Sequence, residues 1–190
     1  FFDNLSNSEM LISKKGIFVD SNKDGKYDFN EIYNGIKGKI IYLEVSTTPG
    51  VWLKNLLELI NSTKPLSEQL WLWSETSSYL LGYVAPNNNP ALKVTAVNTL
   101  NSNLPTGMST SGMEIVVAFS PANLNIIKTN KEVEIIATTA THFPPDKSFP
   151  GVWVASDDWL EQNPAVAQAF INALLEAAVW RAENLEEAAR

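Results

Sequence analysis

Hydrophobic and polar positions along the 190 residues fall into runs that predict strands alternating with helices. Met10-Leu-Ile-Ser-Lys-Lys-Gly-Ile-Phe-Val19 is rich in β-branched residues and broken by Gly16, which suits an extended segment. Lys39-Ile-Ile-Tyr-Leu-Glu-Val45 is almost continuously apolar and predicts a strand buried on both faces. Ser46-Thr-Thr-Pro-Gly50 then leads into a helix, with Thr48 as its N-cap and Pro49 at its first position. Trp52, Leu53, Leu56, Leu57 and Ile60 recur along it at helical spacing. Leu92 to Val97 alternates as a strand, and Asn98 to Thr110 reads as a polar loop containing Pro105 and Gly107. Glu114-Ile-Val-Val-Ala-Phe-Ser120 is another buried strand, followed by a short helix that opens at Pro121 under a Ser120 cap. Val133 to Thr139 and Gly151 to Ala155 predict two further strands. Ser156 caps a short helix, Asp157 to Glu161, and Asn163-Pro164 opens the clearest helix, with Val166, Phe170, Ala173, Leu174 and Ala177 on one face and a polar tail from Glu183 to Arg190. Between Asn61 and Leu92 no period is clean; Trp71, Trp73, Tyr79 and Tyr83 either pack in a core or line a ligand cleft.

One polar stretch has a pattern of its own. In Asp20-Ser-Asn-Lys-Asp-Gly-Lys-Tyr-Asp-Phe-Asn-Glu31, oxygen-bearing side chains recur at alternate positions and a carboxylate closes the run. A calcium ion takes 6–8 oxygens, and a twelve-residue loop supplies them from positions 1, 3 and 5, a backbone carbonyl at 7, a water-mediated group at 9 and a bidentate Glu at 12. Asp20, Asn22, Asp24, Lys26 (through its carbonyl), Asp28 and Glu31 fill those places in order, with Gly25 where the chain turns sharply. The competing reading is an Asx-rich surface turn. The flanks are not those of a paired sensor: the incoming segment is extended, and Gly35 and Gly38 stop the outgoing helix after a turn or two. A lone loop of this kind is expected to hold a structural calcium ion.

Composition narrows the partners. A net charge of −7, with scattered Lys and Arg, argues against nucleic acid or an anionic membrane surface. With no cysteine, the chain has neither disulfide nor thiolate chemistry. No apolar run reaches the ~20 residues of a membrane span. The first residue is Phe1 rather than Met, as expected of a processed or truncated chain. The single histidine, His142, is either a packed loop residue or a catalyst.

Strands alternating with helices predict an α/β domain with a largely parallel sheet. The Thr48-Pro49 and Ser120-Pro121 junctions each place hydroxyls and helix-terminal N–H groups after a strand. If those strands are parallel neighbours, both junctions face one crevice, because ligands of open α/β sheets sit outside the carboxyl ends of the strands. Each junction is otherwise an ordinary capped helix.

The run from Gly151 through Trp153, Ser156, Asp157, Asp158, Trp159, Asn163, Pro164 and Phe170 to Ala178 resembles the late segment of solute-binding proteins of the nitrate, sulfonate, taurine and bicarbonate type. Ile36-Lys-Gly-Lys-Ile-Ile41 and Ser111-Gly-Met-Glu-Ile-Val-Val-Ala-Phe-Ser-Pro121 resemble further segments of that family. The resemblance implies the type II periplasmic-binding-protein fold, two α/β lobes clamping a solute by hinge closure, of which this chain would supply the second lobe and part of the first. On that division, residues 1–35 carry a crossing segment and the calcium loop (20–31), 36–150 form the second lobe, and 151–190 return to the first. The implied function is an extracytoplasmic receptor that delivers a small solute, either an anion or an uncharged amide, to an ABC permease, with solute contacts from Thr47, Thr48, Gly50, Ser120 and Asn123. Two alternatives stand beside it: a calcium-dependent sensory or interaction domain, and an enzyme related to pyrimidine-synthesising proteins of the same fold. No nucleophile, base and orienting group stand in recognisable order for the latter.

Overall fold

Ile41 and Leu43 are fully buried within β3 (Ile40–Leu43), the central parallel strand of a six-stranded sheet. The computed structural model describes residues 2–4, 9–74, 89–110, 112–144 and 150–188. It divides into two units, Ser6–Ser148 and a smaller one made of Phe1–Leu5 with Phe149–Arg190.

In the larger unit the sheet also contains β2 (Glu9–Lys14), β4 (Trp71–Ser74), β5 (Lys93–Asn98), β6 (Ile115–Phe119) and β7 (Val133–Thr138). Their order is β4-β5-β3-β6-β2-β7. The first four neighbours pair in parallel, whereas β2 runs antiparallel to both β6 and β7. Ile115, Val116, Val117 and Ala118 are all fully buried, as a strand covered on both faces requires. Met10, Ile12, Val116 and Ala118 point to one face, where they pack with Leu104, Met108 and Ile126. Those three come from α3 (Leu104–Thr110) and α4 (Ala122–Thr129). The alternate residues Leu11, Ile115 and Val117 point the other way. Helix α2 (Thr48–Asn61) packs against β2 and β6 without joining the first cluster, burying Trp52, Leu53, Leu56, Leu57 and Ile60. Helix α1 (Phe29–Ile36) follows the acidic loop and packs on α2, and the short α5 (Thr139–His142) follows β7.

Three expectations need correcting. Asn98 to Thr110 is not a plain loop: a 3-10 turn at Asn101–Asn103 runs into α3, which Leu104 and Met108 anchor one turn apart. Thr48 is the first helical residue of α2, and Thr47 is its N-cap. Ser120 caps nothing; Pro121 stands at the N-cap position of α4, after a cis Ser120–Pro121 bond. Trp71 and Trp73 belong to the edge strand β4, with the Lys93 ammonium over both rings, while Tyr79 and Tyr83 lie outside the described residues.

In the smaller unit β1 (Phe2–Asn4) pairs antiparallel with β8 (Pro150–Val152). Ser156 caps α6 (Asp157–Gln162) through the Trp159 N–H, and α7 (Pro164–Glu183) and α8 (Leu185–Ala188) follow. Trp153 and Phe170 meet edge to face, centroids 5.3 Å apart, beside an open apolar groove of about 630 Å³ that Trp159, Leu160 and Ile171 also line.

Candidate functional site

Two regions of the larger unit carry the candidate residues: the carboxyl edge of the sheet and the acidic loop. At the edge, Tyr42 of β3 and Val116 of β6 are register partners in adjacent parallel strands, so the strand-to-helix turns leading to α2 and α4 lie at the same, carboxyl, end of the strands. The Thr47 backbone is extended, and its hydroxyl donates to the Glu44 carbonyl at 2.8 Å instead of accepting from the helix. The N-cap residue of neither helix makes a side-chain capping bond, and the positive end of each dipole lies at this edge, although Gly50 N already donates to the Thr47 carbonyl at 3.0 Å and Leu124 N to the Asn123 side chain. Thr48 and Ser120 are exposed and Thr47 is half-buried. Gly50 and Asn123 are buried. A Cβ on Gly50 would run into the Val45 carbonyl oxygen, so only glycine lets α2 start this close to the strand. Asn123 Oδ1 accepts from Leu124 N at 2.7 Å within its own helix.

Polar residues outside the predicted set tie this edge together. Asn101 exchanges two bonds with Phe119 as a neighbouring strand would, its Oδ1 accepting from the Phe119 N–H at 3.1 Å and its Nδ2 donating to the Phe119 carbonyl at 3.2 Å. Glu44 Oε2 accepts from Asn101 N at 3.0 Å, and Asn98 Oδ1 accepts from Val45 N at 3.0 Å. Glu9 is buried at the start of β2, opposite Phe119. A polar side chain just past an apolar strand is the signal that could have singled out Glu44, Asn98 and Asn101.

In the acidic loop the backbone turns where the spacing requires. Gly25 has φ +77° and Lys23 φ +59°. Asp20 accepts from Lys23 N at 2.7 Å and Gly25 N at 2.9 Å, Asn22 from Asp24 N at 3.0 Å, and Asp24 from Lys26 N at 2.8 Å. Asp28 caps α1, accepting from Asn30 N and Glu31 N, while Glu31 reaches back to Asp28 N at 3.0 Å and to Ser21 N. These oxygens face backbone amides; among the described residues no three Asp, Glu or His side chains converge as a metal shell would. The donor set is all oxygen, which suits a hard cation, and the turn at Gly25 falls at the right place in the run.

Tyr27, inside this loop, is tied to the far end of the unit. Its hydroxyl donates to Glu134 Oε2 at 2.8 Å, and its carbonyl accepts from His142 Nε2 at 2.7 Å. Burial, then the hydrogen bond donated to Glu134 and the charge of that carboxylate, push the Tyr27 phenol up to about 12. Glu134 Oε1 is buried with no hydrogen-bond partner. His142 Nδ1 meets the Thr141 hydroxyl at 2.7 Å, and Thr141 forms a capping box with Thr138 at the end of β7.

The chain is similar in structure to SsuA of Methylobacillus flagellatus KT, described as a periplasmic sulfonate-binding protein of a sulfonate ABC transporter: TM-score 0.61 at 21% identity, covering 97% of this chain and 44% of that one. It is similar also to the periplasmic aliphatic sulphonate binding protein SsuA of Escherichia coli, with TM-score 0.57 at 11% identity, covering 96% of this chain and 48% of that one. The fold is that of a periplasmic binding protein. No family profile and no curated protein sequence matches the chain. Within this periplasmic-binding fold the chain spans less than half the length of either solved protein. No helix among its described residues is long and apolar enough to cross a membrane.

Proposed function

We propose that this chain is part of an extracytoplasmic receptor that binds a small solute for the permease of an ABC importer. What supports the reading is the placement of two helix starts, those of α2 and α4, whose N-cap residues make no side-chain capping bond, at the carboxyl end of the adjacent parallel strands β3 and β6. The periplasmic-binding fold supports it. Thr47, Thr48 and Ser120 offer hydroxyls to the solute, while Gly50 and Asn123 shape the helix starts from beneath. Helix-terminal N–H groups suit a small anion such as a sulfonate or carboxylate. The protein is read as a binder and not an enzyme, since both ring nitrogens of its one histidine are engaged in holding the fold together.

In the same reading the loop holds one structural Ca²⁺ through Asp20, Asn22, Asp24, the Lys26 carbonyl, Asp28 and Glu31. The ion would neutralise the crowded carboxylates and fix the loop ahead of α1.

The test is thermal melting against panels of sulfonates, carboxylates and amides, with native mass spectrometry for co-purified solute. One class should raise the melting temperature saturably, and Thr48→Ala with Ser120→Ala should weaken that effect about tenfold, the scale of one or two lost hydrogen bonds. A flat response across all panels would overturn the solute reading, and a melting temperature unmoved by calcium or EGTA would overturn the ion.

A further inference from the structure

We infer that His142 is a positioning residue for the calcium loop, presetting the half of the loop that contains Lys26 and Asp28 before the ion arrives. The inference rests on the calcium reading above and adds to it a residue outside the ligand set.

The two halves of the loop are held differently. Asp20, Asn22 and Asp24 are bonded to amides of the loop itself, and Asn22 and Asp24 are exposed. In the second half, Tyr27 and Phe29 are gripped from outside. The Tyr27 carbonyl meets His142 across 115 positions of sequence, and the Tyr27 hydroxyl meets Glu134 across 107. The Phe18 ring stands edge-on to Tyr27 and the Phe29 ring edge-on to His142, each with centroids 5.8 Å apart. The clamped carbonyl belongs to the peptide next to the one that carries the Lys26 oxygen. Fixing the Tyr27 plane therefore limits where the Lys26 carbonyl and the Asp28 side chain can point.

Chemistry sets the direction of the bond. A carbonyl only accepts, so Nε2 carries the proton; a neutral ring then leaves Nδ1 to accept from the Thr141 hydroxyl. Thr141 is itself fixed by its capping box with Thr138. The imidazole thus transmits the rigidity of the end of β7 to the loop. A ligand set held in place beforehand loses less freedom on binding, which appears as affinity.

Isothermal titration with CaCl₂ alone, on chelator-stripped whole chain, tests this for wild type, His142→Ala, His142→Leu and His142→Gln. Leucine keeps apolar contact with Phe29 without a donor, and the glutamine amide restores an N–H at similar reach. The expected result is a calcium Kd about fivefold weaker in the alanine and leucine variants, the scale of one hydrogen bond, and within about twofold of wild type in the glutamine variant. Melting in EGTA separates the roles: a merely structural histidine would lower the calcium-free melting temperature yet leave the Kd of the folded protein unchanged. If alanine fails to fold, leucine against glutamine carries the comparison. Wild type that takes up no calcium would sink the calcium reading and this inference with it. Wild-type binding matched by the leucine variant, or a glutamine variant as weak as leucine, would overturn the inference alone.

Discussion

The indole nitrogen of Trp52 donates to the Thr139 hydroxyl at 2.9 Å, joining α2 to the residue just past β7 across 87 positions of sequence. Both side chains are buried, and the Trp52 ring also lies 5.3 Å from that of Phe143. Thr139→Val keeps the shape and leaves the indole N–H without this acceptor in a place water does not reach. The expected loss is about 1–3 kcal/mol of unfolding free energy, read from urea denaturation followed by tryptophan fluorescence.

Gly50 should be intolerant of the smallest possible change. Gly50→Ala puts a methyl group into the Val45 carbonyl, so α2 must shift outward, at a cost of about 1–3 kcal/mol. Gly112→Ala is the control: a Cβ there meets nothing within 4 Å, and its midpoint should stay close to wild type.

Asp28 serves the helix and, in the calcium reading, the ion. Asp28→Ala should lower stability by about 1 kcal/mol in EGTA, the usual worth of an N-cap. In calcium the deficit should widen, because the variant loses the ion's stabilisation as well. Equal deficits with and without calcium would confine Asp28 to capping.

Tyr27 predicts a pH dependence in calcium-free buffer. Its folded value is raised from 10.0 to about 12, so folding favours the protonated phenol. The resulting stability is fully present below pH 10 and is lost as pH rises from 10 towards 12. Tyr27→Phe removes the ionisation, so the difference in stability between wild type and variant should shrink across that window. A difference that stays constant from pH 9 to about 11.5 would show that the phenol titrates normally.

Much of this architecture is legible in the chain because single runs specify it. Buried strands such as Ile115 to Phe119 are continuous in apolar residues, and α2 repeats its apolar positions at helical spacing. Helix α3 was hidden because Pro105 and Gly107 read as breakers, although a proline in the first turn costs no helical hydrogen bond. Sequence alone does not separate Thr47 from Thr48 as the cap of α2, because the two are chemically alike and only backbone angles distinguish them. The loop's spacing was readable from twelve consecutive residues; its anchors were not, since Glu134 and His142 lie more than 100 positions away. The direction of β2 was hidden for the same reason, its partners being β6 and β7.

That placement of β2 has a consequence for synthesis. Leu11 and Ile12 leave the ribosome among the first residues of the sheet, yet both flanking strands arrive roughly a hundred residues later. Until then an apolar ribbon with two open edges waits for partners, exposed to aggregation and to chaperones. The larger unit therefore closes late: a nascent chain halted before Val133 would leave one edge of β2 without its native neighbour.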